Sequence, residues 1–378
     1  MNNKLFQIII SFLKLGFTAF GGPAAAMAMM RQEFVTKRKW LDEDEFLDFM
    51  GISNLIPGPN ATELAIHIGY KYAGWMGLVL AGVCYILPAM VIVLGFAWTY
   101  DRFGSLPSLE AVLYGIKPVV VAILLSALMG MIKPRLKLSL GIGISVVVLI
   151  AYVLGVGPLP LMIGGGVLLG FLGVIKNKNE IPPSLGGFSS WLIFMANSQA
   201  TADTFSLPRL FWVFLKAGSL MYGSGYVLLA FIENDLVRNL GWLSQSQLID
   251  AIAVGQITPG PLSTTATFVG FITGGLPGAL LATLAMFLPG FVFVAITRPF
   301  LYQLRASQLG SGFLDGVIFA SLGLWAGVTW EIMGAALVDP VTIGIMFLSL
   351  FLLITYDLNT SWMILGGAGV GIIKLFIR

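Results

Sequence analysis

Asn54-Leu55-Ile56-Pro57-Gly58-Pro59-Asn60-Ala61-Thr62-Glu63 and Gly255-Gln256-Ile257-Thr258-Pro259-Gly260-Pro261-Leu262-Ser263-Thr264 are the two stretches on which the fold of this chain turns. Each places a Pro-Gly-Pro in the middle of an apolar segment. Proline has no amide proton and pushes the residue before it out of the α region, so neither segment continues as one helix. Cap-type residues follow both breaks: Asn60 and Thr62 in one copy, Ser263, Thr264 and Thr265 in the other. The pattern predicts a discontinuity at both places, with a new half-helix starting just beyond each.

The two stretches belong to one unit written twice. Phe12-Leu13-Lys14 returns as Phe214-Leu215-Lys216, Gly16 as Gly218, Phe20-Gly21 as Tyr222-Gly223, Glu33 as Asp235, Trp40-Leu41 as Trp242-Leu243 and Asp48 as Asp250. After one deletion the register continues through Gly69 and Gly270, Gly74 and Gly275, Gly77 and Gly278, and Gly115 and Gly316. The expected organisation is a first membrane repeat over 1–175, a linker with room for an extra helix over 176–209, and a second repeat over 210–378.

Of the 378 residues, 57% are hydrophobic and 10% charged, and the mean hydropathy is +0.92. Soluble domains carry about 25% charge. The run from Gly74 to Tyr100 has no charge at all, and it exceeds the roughly 18 residues that mark a span. Helices are expected, because lipid leaves an open sheet edge unsatisfied. The fold class is therefore an all-α polytopic membrane protein of two homologous repeats, each with discontinuous helices or re-entrant hairpins. Lys37 to Lys39 and Lys133, Arg135 and Lys137 mark two connections of the first half as cytoplasmic. In the second half Arg298 and Arg305 follow the next helix instead, which predicts inverted halves; Lys374 and Arg378 pull the other way.

A net charge of +3, spread over short loops, gives no footprint for nucleic acid. One cysteine, Cys84, and one histidine, His67, leave no disulfide, no metal site and no sign of a cofactor. An enzyme would need a nucleophile–base set that the spans lack. Movement of a solute is the expected activity. A channel also uses broken helices and stays open as a reading.

Helix starts at the breaks leave free amides at positive dipole ends, suited to an anion. The candidate binding residues are Gly21, Gly22, Gly58, Asn60 and Thr62 in the first repeat and Gly260, Ser263 and Thr264 in the second. Lys14 and Lys216, each six residues before a Gly-rich break, either face that site or snorkel to the interface. Glu63, His67 and Lys71 lie at i+4 steps and share a helix face. Glu63 and His67 form a proton path or gate on one reading; on the other, a Glu–Lys pair fixes helix packing. Arg31 and Glu33 are gating candidates in a connector that otherwise reads as interfacial.

Phe20-Gly21-Gly22-Pro23, Met30-Arg31-Gln32-Glu33, Trp40-Leu41 and the run from Asn54 to Tyr70 resemble the chromate transporter (CHR) family, in the form that carries both halves on one chain. The resemblance covers nearly the whole sequence. Ala24-Ala25-Ala26-Met27 stands where many members carry a histidine. The resemblance implies a secondary transporter in the cytoplasmic membrane of a prokaryote, exporting chromate, with sulfate as the related oxyanion and the proton motive force as driver. The partners implied are the lipid bilayer, a small oxyanion and a coupling proton, with a homodimer left open. The residues themselves do not separate chromate from sulfate or from an organic anion.

Overall fold

One glycine reversal organises each half. The computed structural model describes residues 2–20, 22–54, 56–104, 106–135, 138–176, 204–222, 225–297, 308–356 and 358–377. The first repeat contains α1 (Asn2–Thr18), α2 (Gly22–Arg31), α3 (Glu43–Ser53), α4 (Asn60–Phe103), α5 (Pro107–Ile132), α6 (Ser139–Val153) and α7 (Pro158–Lys176). Their counterparts are α8 (Leu207–Leu220), α9 (Val227–Ile232), α10 (Gln245–Ile257), α11 (Thr265–Thr297), α12 (Gln308–Ala336), α13 (Pro340–Tyr356) and α14 (Thr360–Ile377). A π-helical turn extends α2 over Gln32–Lys37 and α9 over Glu233–Asn239, the same place in both units. No strand occurs among the described residues. Most of the expected linker, the 187–202 segment within it, Lys137, Arg298 and Arg305 lie outside them.

Helix α4 is two arms. Gly74 has φ 64° and ψ −148°, and its repeat partner Gly275 in α11 has φ 62° and ψ −158°. Only glycine takes that conformation without strain. At each reversal the chain doubles back so closely that a Cβ on Gly69 would stand 2.3 Å from the Gly77 carbonyl, and one on Gly270 2.4 Å from that of Gly278. The short arm, 60–72, is about 20 Å long at 1.5 Å per residue, short of a ~30 Å crossing. The long arm, 75–103, spans.

Helix α3 and the short arm form an antiparallel hairpin. Lys71 pairs with Glu45, His67 stacks on Phe49 with ring centroids 5.6 Å apart, and Asn60 donates to Asn54 across 2.7 Å. The Pro-Gly-Pro is the tip of that hairpin. Helix α1 and the α2–π segment make a second hairpin beside it. Lys4 and Trp40, at its two ends, both pack on the Tyr72 ring, and Phe12 stacks on Phe34 between them. The broken segments are therefore re-entrant hairpins. A Cβ on Gly16, near the tip, would meet Tyr85 and Pro88. These residues lie some 15–20 Å along the long arm from its reversal, close to the middle of a ~30 Å hydrocarbon layer.

Contacts between repeats give their relative direction. Along α6 and α12, Gly141 meets Phe319, Ser145 meets Gly323 and Tyr152 meets Gly327, so the two run parallel. Helices α5 and α6 are consecutive spans joined by the short 133–138 connection, and so run opposite ways. Hence α5 and its repeat partner α12 are antiparallel, and the halves are inverted. The arrangement is also exchanged. Helix α14 packs on α5, with Gly367 against Gly115, and α7 packs on α12, with Gly165 against Gly316. Small residues let these backbones touch, which is how helices associate where lipid offers no hydrophobic drive.

The outer faces repeat too. Trp75, Val79, Val83, Leu87 and Val91 stand exposed at every fourth residue of α4, and Leu276, Leu280, Leu284, Leu288 and Val292 do so on α11. Stripes this long and apolar suit lipid and not water.

Candidate substrate-binding site

All four hairpin tips meet at the centre. The Gly58 amide donates to the Met221 carbonyl across 2.7 Å, and the Gly260 amide donates to the Ala19 carbonyl across 2.9 Å. Each Pro-Gly-Pro thus holds the first hairpin of the other repeat, and the two bonds are images of one another. The Pro-Gly-Pro glycines carry φ of 144° and 94°, a region disfavoured for any residue with a Cβ.

Beside the tips lies a cavity of about 910 Å³. Helix starts point their first turns at it: Gly22 to Ala26 of α2, Asn60 and Ala61 of α4, Leu262 and Ser263 after the second break, and Thr360 of α14 with Asn359 just before it. First-turn amides have no partner within their helix and sit at the positive end of its dipole. Asn54, Ser126 and Tyr226 add polar side chains, and Ile123, Ile318, Trp325 and Leu353 add apolar wall. Among the described lining residues Arg135 carries the one formal charge; its Nη1 also donates to the Met131 carbonyl across 2.9 Å. Two wall residues bring buried donors, the Tyr85 hydroxyl and the Trp325 indole N–H, that meet no acceptor among the described residues. Helix starts, donors and one guanidinium make a wall fit for an anion. Among the described residues no cluster of three His, Cys, Asp or Glu could hold a metal ion.

The sequence candidates separate into three groups. Gly22, Asn60, Gly260 and Ser263 line the cavity. Gly58, Thr62, Glu63 and Thr264 sit just behind the tips and are buried. Thr264 donates to the Pro261 carbonyl, whereas the Thr62 hydroxyl and both Glu63 oxygens have no hydrogen-bond partner among the described residues. Glu63 is wedged between repeats: a Cβ on Gly58 would stand 2.1 Å from its Oε1, and one on Gly290 of α11 would stand 3.5 Å away. Gly21 lies outside the described residues.

The third group is away from the cavity. Lys14 is exposed, because Phe12, Leu15 and Gly16 take the packed face of α1 and leave the lysine on the other. Lys216 pairs with Asp235, a bond its repeat partner lacks, since Glu33 is held instead by Arg38 at 2.7 Å. Arg31 pairs with Glu43 at 2.6 Å on the exposed surface. His67 is buried at the middle of its hairpin, on Phe49. Lys71 goes to Glu45 and not to Glu63, so the packing pair is made between the arms of the hairpin instead. Sequence reasoning missed Arg135 as a lining residue, along with Asn54, Tyr85, Tyr226, Trp325 and Asn359. Only Asn54 and Arg135 carried any signal, one beside the Pro-Gly-Pro and the other as a loop charge.

Comparison with known proteins agrees with this architecture. Residues 6–171 and 208–372 each match the chromate transporter family, one match per repeat. The chain is 32% identical over 328 residues to a probable chromate transport protein of Synechococcus elongatus, covering 86% of this chain and 83% of that one. It is 30% identical over 373 residues to the chromate transport protein of Cupriavidus metallidurans, covering 96% and 91%. An uncharacterized transporter of Methanocaldococcus jannaschii is 28% identical over 377 residues, covering 96% and 93%. No solved structure matches the chain. With its family match in both halves and relatives aligned over most of their length, the chain belongs to the chromate transporter family.

Proposed function

We propose that the protein is a secondary active transporter that exports a small oxyanion, chromate or the similar sulfate, across the cytoplasmic membrane of a prokaryote, and that it is not an enzyme. The observation that carries this is the meeting of re-entrant tips from two inverted repeats around a cavity walled by helix starts, at the depth where such transporters hold substrate. Lys4, Lys37, Arg38, Lys39, Lys71, Lys133 and Arg135 gather at one end of the fold, which by the positive-inside rule is the cytoplasmic end. The cavity reaches that end at Arg135. A tetrahedral dianion entering there is met by a guanidinium and then by backbone donors.

Glu63 is the coupling residue in this reading. Among the described residues it is the one carboxylate behind the tips, fully buried at the contact of the two repeats, and ionisable groups at such depth are functional candidates by default. A proton taken up and released there would link the motion of the tips to the gradient. Gly22, Asn60, Gly260 and Ser263 bind the anion. The cavity's volume favours one second reading, an organic anion larger than chromate.

The test is flux of labelled chromate and sulfate into inside-out vesicles, with and without an imposed pH gradient. Saturable accumulation that follows the gradient, and that Glu63→Gln abolishes while the protein stays folded, is the expected result. Gradient-driven accumulation that survives Glu63→Gln would remove Glu63 from coupling. No flux of either ion would turn the substrate reading to the organic anion.

A further inference from the structure

The inverted repeats are equivalent in sequence register but not in surroundings. Helix α10 is gripped by α5, α12 and α14, whereas its counterpart α3 packs mainly on its own hairpin partner α4 and gives Gly51 and Asn54 to the cavity. Helix α9 packs on α12, whereas the first turns of α2 face the cavity. One unit is closed down on the spanning helices and the other stands off them. The cavity occupies the space left, and it opens toward the basic end.

At the closed end the two repeats are tied by charge. The Lys117 ammonium on α5 lies 3.3 Å from Asp250 Oδ1 on α10 and donates to Ser246 Oγ across 2.6 Å. The Tyr100 hydroxyl, near the far end of α4, donates to Asp250 Oδ2 across 2.9 Å. The Asp250 side chain is 2% exposed and that of Lys117 is 19% exposed. All three bonds run from the first repeat to the second. Lys117 lies six residues, about 9 Å along the helix, beyond Ile123, the first residue of α5 to line the cavity. The cluster therefore stands between the cavity and the end opposite Arg135.

Among the described residues the same positions at the open end carry no such tie. Asp48, the counterpart of Asp250, is exposed, and Ile318, the counterpart of Lys117, lines the cavity. Transporters built from inverted repeats change access by exchanging the arrangements of their halves. Applied here, the exchange closes α3 onto α12 and draws α10 away from α5, and the Lys117–Asp250 contact cannot survive it.

We propose that Lys117, Asp250 and Tyr100 form the gate of the end opposite Arg135, holding the transporter open toward the basic end until they part. The proposal rests on the alternating-access reading above, but not on the identity of the substrate. It also explains why the tie is one-sided: a charge pair at one end only biases which face the cavity shows at rest. Separating a buried pair costs far more than separating an exposed one, so this end opens least often.

Ser126 on α5 lines the cavity and serves as a reporter. In a Cys84→Ala background, Ser126→Cys is exposed to a membrane-impermeant maleimide from either face of vesicles of known orientation. With the gate intact, labelling is fast from the basic end and slow from the other. Tyr100→Phe and Lys117→Met each raise the slow rate on the order of tenfold, the effect expected when a charge-assisted hydrogen bond is lost. Exchanging the charges, as Lys117→Asp with Asp250→Lys, brings that rate back toward its starting value. Unchanged slow labelling in both Tyr100→Phe and Lys117→Met would overturn the proposal, as would equal labelling from both faces before any change at the gate. Tyr100→Phe removes one oxygen and keeps the ring on Phe268, so it remains informative if the charge variants do not insert. Because labelling needs no substrate, absent chromate flux with a labelling shift faults the substrate and not the gate.

Discussion

Gly58→Ala separates two costs that coincide at the first Pro-Gly-Pro. The first is conformational. Gly58 has φ 144°, and a side chain held there costs about 1–3 kcal/mol. The second is steric. The new Cβ would stand 2.1 Å from Glu63 Oε1, so the carboxylate must retreat by about 1.3 Å to reach an ordinary 3.4 Å contact. Its retreat is resisted because Glu63 is fully buried, packed beside Gly290 of the other repeat. Overpacking of this kind adds about 1–3 kcal/mol. Gly22→Ala isolates the first cost: Gly22 has φ 80°, and no heavy atom lies within 4 Å of its Cβ position. The assay is heat unfolding of the detergent-solubilised protein, followed by tryptophan fluorescence. Gly58→Ala should lower stability by about 2 kcal/mol more than Gly22→Ala. Glu63→Asp, one methylene shorter, should recover about 1–2 kcal/mol of that in the double variant, a coupling typical of touching residues. Equal losses for the two glycine variants, or strict additivity of Gly58→Ala and Glu63→Asp, would refute the wedging of Glu63 between the repeats.

Two further outcomes follow from charges at the ends of the fold. Arg135→Gln should raise the half-saturating oxyanion concentration on the order of tenfold, the scale of one charge-assisted hydrogen bond, while leaving the maximal rate nearly unchanged; flux measured against concentration checks this, and an equal fall in maximal rate would contradict a binding role. Asp339, in the loop between α12 and α13, is held well below the usual carboxylate range, first by the Tyr114 hydroxyl at 2.6 Å and then by the Thr342 amide at 2.8 Å. A depressed carboxyl stabilises the fold above its unfolded value of about 4 and loses that contribution as pH falls. The difference in unfolding midpoint between the wild type and Asp339→Asn should therefore be full at pH 6 and shrink below about pH 4.

The tips of the hairpins were legible in the sequence because their chemistry is local. Pro57, Gly58 and Pro59 forbid a helix whatever surrounds them, and repetition at Pro259 to Pro261 removes coincidence. Gly74 and Gly275 stood out in the same way, in register, although nothing in the letters says that the chain reverses there. Lys14 shows the limit of position as a guide. It lies six residues before a break, but helical phase decides which way it faces, and Phe12, Leu15 and Gly16 claim the packed side. Tyr85 and Trp325 gave no signal, because spans apolar on every face have no periodicity from which to read an inward side. Arg135 read only as a marker of topology. Its place in the cavity depends on α5 passing beside the tips, and Lys117 and Asp250, 133 residues apart, are joined by the same long-range packing.

The exchange of helices between the halves sets an order of events during synthesis. The face of α5 around Gly115 is completed by Gly367 and Gly371 of α14, at the far end of the chain. More than two hundred residues must still be translated when α5 is finished, on the order of 10–50 s at typical rates of elongation. Throughout that interval the notch at Gly115 borders lipid, and the first half waits in the bilayer without its cover. Neither half is a finished object by itself, so a protein carrying a single copy of the unit could complete this fold only by meeting a second copy inserted the opposite way up.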